Sequence, residues 1–308
     1  MPFSQRRKAV FTISLDFELA WGTLDRHRDS FYRPICRAER EQAITRLLDL
    51  FASYDICATW ATVGALFEEG SDDLLHAPDL IEEIRRCRVT QEIGSHTYTH
   101  PVMTKVTREQ ARRQFELSVD ACERVGITPK TIIFPRNQVA HLDEAKRVGF
   151  TCYRSPEPRW YCAQGERGAA ERMGHLADVL TASTPAVVMP RVDEHGLIGI
   201  PGSMLYTPSF GIRKYIPAKL RALRAKRGLR AAVEQTGIFH LWFHPTDIVI
   251  RMDDMLAGLA EIFEAVHEYR RAGQLEVRSM AGVAAEWQTA GSLEQAIMSE
   301  DCCLLQHC

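Results

Sequence analysis

Apolar and polar positions along the chain fall into short runs of strand character separated by stripes of helical period. Residues 9–15 are apolar and β-branched and predict a buried strand. Ile44, Leu47, Leu48 and Phe51 follow with the i, i+3, i+4, i+7 spacing of a helix face. Cys57 to Val63 reads as a second strand, and Ile81 and Ile84 as a short helix ending near Arg88. Glu92-Ile93-Gly94 is a short strand opening into a loop. Thr107 with Gln110 forms a capping box that starts a helix running to about Arg124. Thr131 to Phe134 is strand-like, and Leu142, Ala145 and Val148 lie on the next helix, with Gly149 as its cap. Residues 155–170, rich in Pro, Gly and charge, read as a loop. Short strands are expected at 186–192 and 197–200 around a turn at Gly196. Ile238 to Phe243 is a strand. Met255, Leu259, Ile262, Phe263 and Val266 mark a long amphipathic helix. Leu275-Glu276-Val277 and a helix from about Met280 close the chain, with a frayed tail from about residue 290.

Repeated strand–helix alternation implies parallel strands with helices outside. Seven or eight units fit a closed or nearly closed (β/α) barrel of α/β class, and an open doubly wound sheet is the alternative. With no internal repeat or linker, residues 1–308 read as a single domain. In such barrels the chemistry sits at the C-terminal ends of the strands, so polar clusters should follow apolar runs.

Composition narrows the class. Of 308 residues, 45% are hydrophobic and 25% charged, with a net charge of −2. That excludes disorder and describes a soluble globular protein. A near-zero balance and a pI near 6.6 argue against a nucleic-acid partner. No run approaches the roughly 18 apolar residues of a membrane span. The basic start, Met1 to Lys8, passes directly into the first strand and then Asp16 and Glu18, which does not read as a signal peptide. The nine cysteines are odd in number and include no CxxC pair. Free thiols in the cytoplasm are therefore expected.

Three clusters carry chemistry. Asp16-Phe17-Glu18 ends the first strand. His96-Thr97-Tyr98-Thr99-His100 places histidines four apart, within reach of one ion, directly after a strand and before Pro101. Phe239-His240-Leu241-Trp242-Phe243-His244-Pro245 puts His244 at a strand's C-terminal end, with Trp242 on the same face. Each cluster alone has an ordinary structural reading. Together, one carboxylate and two histidines make a facial ligand set with open positions. A second carboxylate can take a proton from water and a separate histidine can protonate a leaving group. These are the parts needed for metal-assisted hydrolysis of an amide.

These motifs resemble those of the polysaccharide deacetylase family, metal-dependent carbohydrate esterases that remove N-acetyl groups from sugars. The acidic motif looks like Asp16-Phe17-Glu18, the His-Ser/Thr-x-x-His motif is similar to His96 to His100, and the late histidine motif looks like Leu241 to His244. The resemblance covers about residues 9–248. It implies a distorted (β/α) barrel with about seven parallel strands. It also implies Asp16 as catalytic base, Glu18, His96 and His100 as metal ligands and His244 as general acid. The family's Arg-Pro motif departs here to Phe134-Pro135-Arg136-Asn137, which leaves Arg136 as the candidate to orient Asp16. Tyr153, Arg154, Trp160 and Trp242 are the candidates to line the cleft.

One divalent ion is expected, zinc on ligand type, with cobalt, nickel, iron and manganese also suited to the set. The expected substrate is an N-acylated sugar, nucleotide- or lipid-linked, within polysaccharide or glycoconjugate synthesis. The segment 212–230 holds eight basic residues and no acid. It is either a solvated helix face or an attractor of anions, substrate phosphates or an acidic membrane surface; a peripheral membrane contact would place the protein at the inner membrane surface. The competing readings are a deformylase or a ureide or cyclic-amide hydrolase on the same fold, and an inactive sugar-binding or membrane-associated scaffold.

Overall fold

The computed structural model describes residues 8–24, 29–159 and 168–289. In chain order the elements are β1 (Ala9–Phe17), α1 (Asp29–Ala38), α2 (Ile44–Tyr54), β2 (Thr59–Thr62), α3 (Pro78–Arg85), β3 (Glu92–Ser95) and α4 (Arg108–Glu123). Next come β4 (Thr131–Ile132), α5 (Leu142–Arg147), β5 (Cys152–Ser155), α6 (Ala169–Leu180), β6 (Arg191–Val192), β7 (Ile198–Pro201) and β8 (Met204–Leu205). The last are α7 (Ala218–Gln235), β9 (Ile238–Phe243), α8 (Met252–Arg271) and β10 (Leu275–Val277), with a further helical stretch over 280–289.

The strands form one sheet in the order β6-β7-β5-β4-β3-β2-β1-β9-β8, with β10 also paired to β1. Every pair among these strands is parallel except β6 with β7. The two ends of the path meet. β7 pairs with β5 and β8 with β9, yet only Gly202 and Ser203 separate β7 from β8. One kinked run therefore closes the curl, and with β1 to β5 and β9 it makes the seven parallel staves of a distorted barrel. The kink is stitched to β9 twice: Ser203 N–H donates to the His240 carbonyl at 2.9 Å, and His240 N–H donates to Ser203 Oγ at 3.0 Å. Gly202 is needed because a Cβ there would come within 3.0 Å of Trp242 Nε1.

Strand β1 explains how the barrel is filled. Phe11, Ile13, Leu15 and Phe17 point outward into the layer of helices, where Phe11 meets Phe239 and Phe263, and Phe17 meets Trp60. Thr12, Ser14 and Asp16 occupy the other face, as period two requires. Ala61, Ile133, Cys152, Ile198, Ile200 and Ile238 form an apolar cluster that is plugged by Met280, Val283 and Ala284 of the 280–289 helix. That helix starts on two barrel side chains: Met280 N–H donates to Thr59 Oγ1 at 2.9 Å and Ala281 N–H to Glu92 Oε2 at 3.0 Å. The barrel also holds a polar group of Ser14, Asp16, His240 and Arg154.

Three features differ from the sequence reading. The capping box at Thr107 and Gln110 is present, but α1 was not expected from the sequence. It contains Pro34 and runs into a π-turn at Glu39–Ala43, which shifts the phase of any 3.6 pattern. The expected strand at 186–192 is reduced to a bridge between Val188 and Ile238 and to β6. The basic segment is a solvated face only in part: Lys214, Lys219, Arg227 and Arg230 are exposed, but two arginines turn inward. Arg221 and Arg224 are buried. Arg221 donates to the carbonyls of Thr207, Pro208, Arg213 and Ile216, tying the loop before α7 to the helix. Arg227 donates to the Ala182 carbonyl, and Lys226 pairs with Glu261.

Candidate active site

At the C-terminal rim, four strand ends bring together residues distant in sequence. Glu18 directly follows β1. His96 directly follows β3, and its ring is fully buried. His100 reaches the same point through a backbone that turns back on itself, with Thr97 at φ 63° and His100 at φ 59°. Both lie in the left-handed region, an uncommon conformation for side-chain-bearing residues that marks a site held by its surroundings. His100 Nε2 stands 2.9 Å and His96 Nε2 3.4 Å from Glu18 Oε2. One ligand atom from each of these three residues lies within 4.8 Å of the others.

This triad fits a cation on an independent ground. His96 Nδ1–H donates to the Ile133 carbonyl at 2.8 Å, which fixes the tautomer and leaves the Nε2 lone pair outward. That Nε2 is buried without a hydrogen-bond partner and faces a carboxylate. Two electron-rich groups aimed at each other in a dry site need a positive charge between them. Burial disfavours charge on Glu18, but His100 and His244 hold its carboxyl well below the usual range. Burial lowers the pKa of His100, against the pull of Glu18, and so favours the neutral, ligating form.

Asp16 is held beside the triad by Arg154, not by Arg136. Arg154 Nη1 and Nη2 donate to the two Asp16 oxygens, each at 2.7 Å, and both residues are buried. Arg154 is fixed in turn by Asn137 Oδ1 at 3.0 and 2.8 Å, by Ser14 Oγ at 3.2 Å and by the Trp242 ring 4.3 Å beneath its guanidinium. Burial works against ionisation of Asp16, yet Arg154 and the histidines His96 and His244 lower its pKa overall, so it is an anion. Arg136 lies in the turn after β4 at φ 56°. The motif's neighbour Asn137, which sequence reasoning passed over, is the residue that braces the clamp.

His244 stands opposite, with Nε2 3.7 Å from Asp16 Oδ2 and 3.8 Å from Glu18 Oε1. Its Nδ1–H donates to Asp247 Oδ2 at 3.0 Å, and the same oxygen accepts from the His244 backbone N–H at 2.9 Å. Burial disfavours the imidazolium, but Asp247, Glu18 and Asp16 outweigh it and raise the pKa. A cation at the triad would offset part of that rise. His240, by contrast, is a structural histidine. It is buried, donates from Nδ1 to the Pro201 carbonyl at 3.1 Å and accepts from Ser14 Oγ at 2.8 Å, and burial drives its pKa to about 3.

The expected cleft residues fare differently. Tyr153, next to Arg154 on β5, points outward, where its ring packs on Phe134. Trp242 is buried; its face carries Arg154 and its Nε1–H donates to Glu157 at 2.7 Å. It supports the clamp from below. Trp160 lies outside the described residues. A cleft of about 430 Å³ does open at Glu18 and His244, walled by Leu19, Tyr32, Ile35 and Phe210. None of these four was expected from sequence.

Comparison with known proteins agrees with this geometry. The family model described as "Polysaccharide deacetylase" matches residues 29–153, which include His96 and His100. No curated protein matches the chain. A Mycobacterium smegmatis structure described as a polysaccharide deacetylase is similar over 94% of both chains, with a TM-score of 0.71 at 14% identity. One from Pseudomonas aeruginosa PAO1, described likewise, covers 91% of both chains (TM-score 0.63, 13% identity). Puue allantoinase is similar over 91% of this chain and 90% of its own (TM-score 0.65, 13% identity). The chain therefore carries the polysaccharide deacetylase signature over residues 29–153 and, over nearly its whole length, the distorted barrel fold found in structures of that description.

Proposed function

We propose that this protein is a metal-dependent hydrolase that removes an N-acyl group, acetyl first, from an amino sugar or sugar conjugate. The observation that carries the reading is convergence. A Glu-His-His ligand set with an orphaned, lone-pair-bearing His96 Nε2 lies between a clamped carboxylate and an oriented histidine. Glu18, His96 and His100 would hold the ion, and their N₂O chemistry suits zinc as well as cobalt, nickel, iron or manganese. When bound, the ion supplies Lewis acidity toward a water and the acyl carbonyl. Asp16 is ionised and fixed by Arg154, and it takes the proton of the attacking water. His244 holds its proton at Nε2, is aimed by Asp247, and delivers that proton to the departing amine. Leu19, Tyr32, Ile35 and Phe210 wall the cleft and limit bulk water there.

The substrate's carrier, nucleotide or lipid, and the intracellular setting belong to this proposal. Support for a reducing compartment is that Cys36, Cys57, Cys87, Cys122 and Cys152 are free thiols. A membrane contact through 212–230 has less to draw on, because Arg221 and Arg224 are spent inside the protein.

A second reading, hydrolysis of a ureide or cyclic amide, is favoured by the likeness to an allantoinase, which covers both chains almost as fully as the deacetylase of Pseudomonas aeruginosa does. Product analysis decides between them. Purified protein is incubated with N-acetylated sugars (free, nucleotide-linked and lipid-linked), with N-formylated sugars and with ureides. Acetate with a free amine supports the deacetylase, whereas formate or a ring-opened acid alone would overturn it.

A further inference from the structure

We infer that Gly22 is a positioning residue for the ligand carboxylate of Glu18, and that its lack of a side chain is what lets the triad form. This rests on the reading of Glu18, His96 and His100 as metal ligands. A Cβ built on Gly22 would lie 1.8 Å from Glu18 Oε1, 2.1 Å from its Cδ and 2.8 Å from Oε2. The carboxylate occupies the space that any other residue would fill. Backbone conformation does not explain the glycine, because Gly22 lies outside the left-handed region. The short 3₁₀ turn Leu19–Gly22 cannot retreat either. Ala20 N–H donates to the Leu74 carbonyl at 3.1 Å and Trp21 Nε1–H to the Leu75 carbonyl at 2.9 Å. The turn is thus pinned to the Leu74–Leu75 segment by two hydrogen bonds.

An added methyl must therefore push the end of the Glu18 side chain. That side chain is flexible, so the displacement costs the fold little. It costs the site much, because Glu18 Oε2 is placed 2.9 Å from His100 Nε2 and 3.4 Å from His96 Nε2 only while the carboxylate rests on Gly22. Stability and metal affinity should separate in a single substitution.

The test compares wild type, Gly22→Ala, Glu18→Ala and the double variant, using Zn²⁺ or Co²⁺ titration of metal-free protein and its thermal midpoint. Gly22→Ala should bind the metal roughly ten- to hundredfold more weakly, with a metal-free midpoint unchanged or raised. In the Glu18→Ala background it should weaken binding no further. Wild-type affinity in Gly22→Ala would overturn the inference. So would a Gly22→Ala protein that fails to fold and is not rescued by Glu18→Ala, since the backbone would then need the glycine. Rescue of folding by Glu18→Ala would support it. A wild type that binds neither metal would overturn the ligand reading itself, and the positioning role with it.

Discussion

At the scale of single residues, the account turns on the division of labour around Asp16. Arg154 makes two 2.7 Å bonds to it in a dry setting. A planar fork does this and an ammonium does not. Arg154→Lys should therefore lower kcat/KM by about 10²-fold, by letting the carboxylate drift from its attacking geometry. Arg136→Ala should cost far less. Steady-state kinetics on the product-releasing substrate would check both, and an equal loss for the two variants would contradict the assignment of the clamp. His244→Gln should lower kcat by roughly 10²–10⁴-fold while leaving bound metal in place; loss of the metal as well would make His244 a ligand and not an acid. The sequence made Asp16, Glu18, His96, His100 and His244 legible, because each sits in a short local motif. It offered Arg154 as a cleft residue but hid its role as the clamp on Asp16, because an arginine in a strand carries no local signal of its partner. Its meaning comes from a partner on β1, 138 residues away. Tyr153 was misplaced for a related reason: neighbours on a strand face opposite sides, and only the position of the barrel axis says which side is the site.

At the scale of elements, helix 280–289 plugs the barrel floor, and Glu92 is the residue that seats it. Glu92 accepts from Thr59 Oγ1 at 2.8 Å, from Ala281 N–H at 3.0 Å and from Thr131 Oγ1. Glu92→Ala would leave two hydroxyls and a helix N-terminus without this acceptor. It should destabilise the protein by about 2–3 kcal/mol, as read from denaturant unfolding. No change would mean that the plug is held by Met280 and Val283 packing alone. Arg221 plays a similar part at the other edge, where four carbonyls converge on it. Its charge was legible, but its direction was not. Two of the arginines on α7, Arg221 and Arg224, point into the protein. Lys214 and Lys219 remain exposed. If these two carry a membrane contact, Lys214→Ala/Lys219→Ala should weaken sedimentation with anionic vesicles; undiminished binding would remove that contact from the account.

At the scale of the whole molecule, strand–helix alternation gave parallel strands with helices outside and left a barrel or an open doubly wound sheet; the motif resemblance pointed to the distorted barrel. How the barrel closes was not readable. Closure depends on Gly202 and Ser203, two residues between short strands, and on the room Trp242 leaves beside them. The site itself sits where β9, with His244 just past its end, pairs directly with β1, which leads to Asp16 and Glu18. The site then has a buried acceptor that a bound cation would satisfy, the His96 Nε2 facing Glu18. The central claim is that this triad binds one divalent ion and that hydrolysis depends on it. The measurement that tests it most directly is metal content by elemental analysis, with product release followed before chelation, after chelation and after metal is restored. The account predicts one ion per chain in wild type, none in His96→Ala, and activity that disappears with the ion and returns with it. Full activity in metal-free protein, or in His96→Ala, would contradict it.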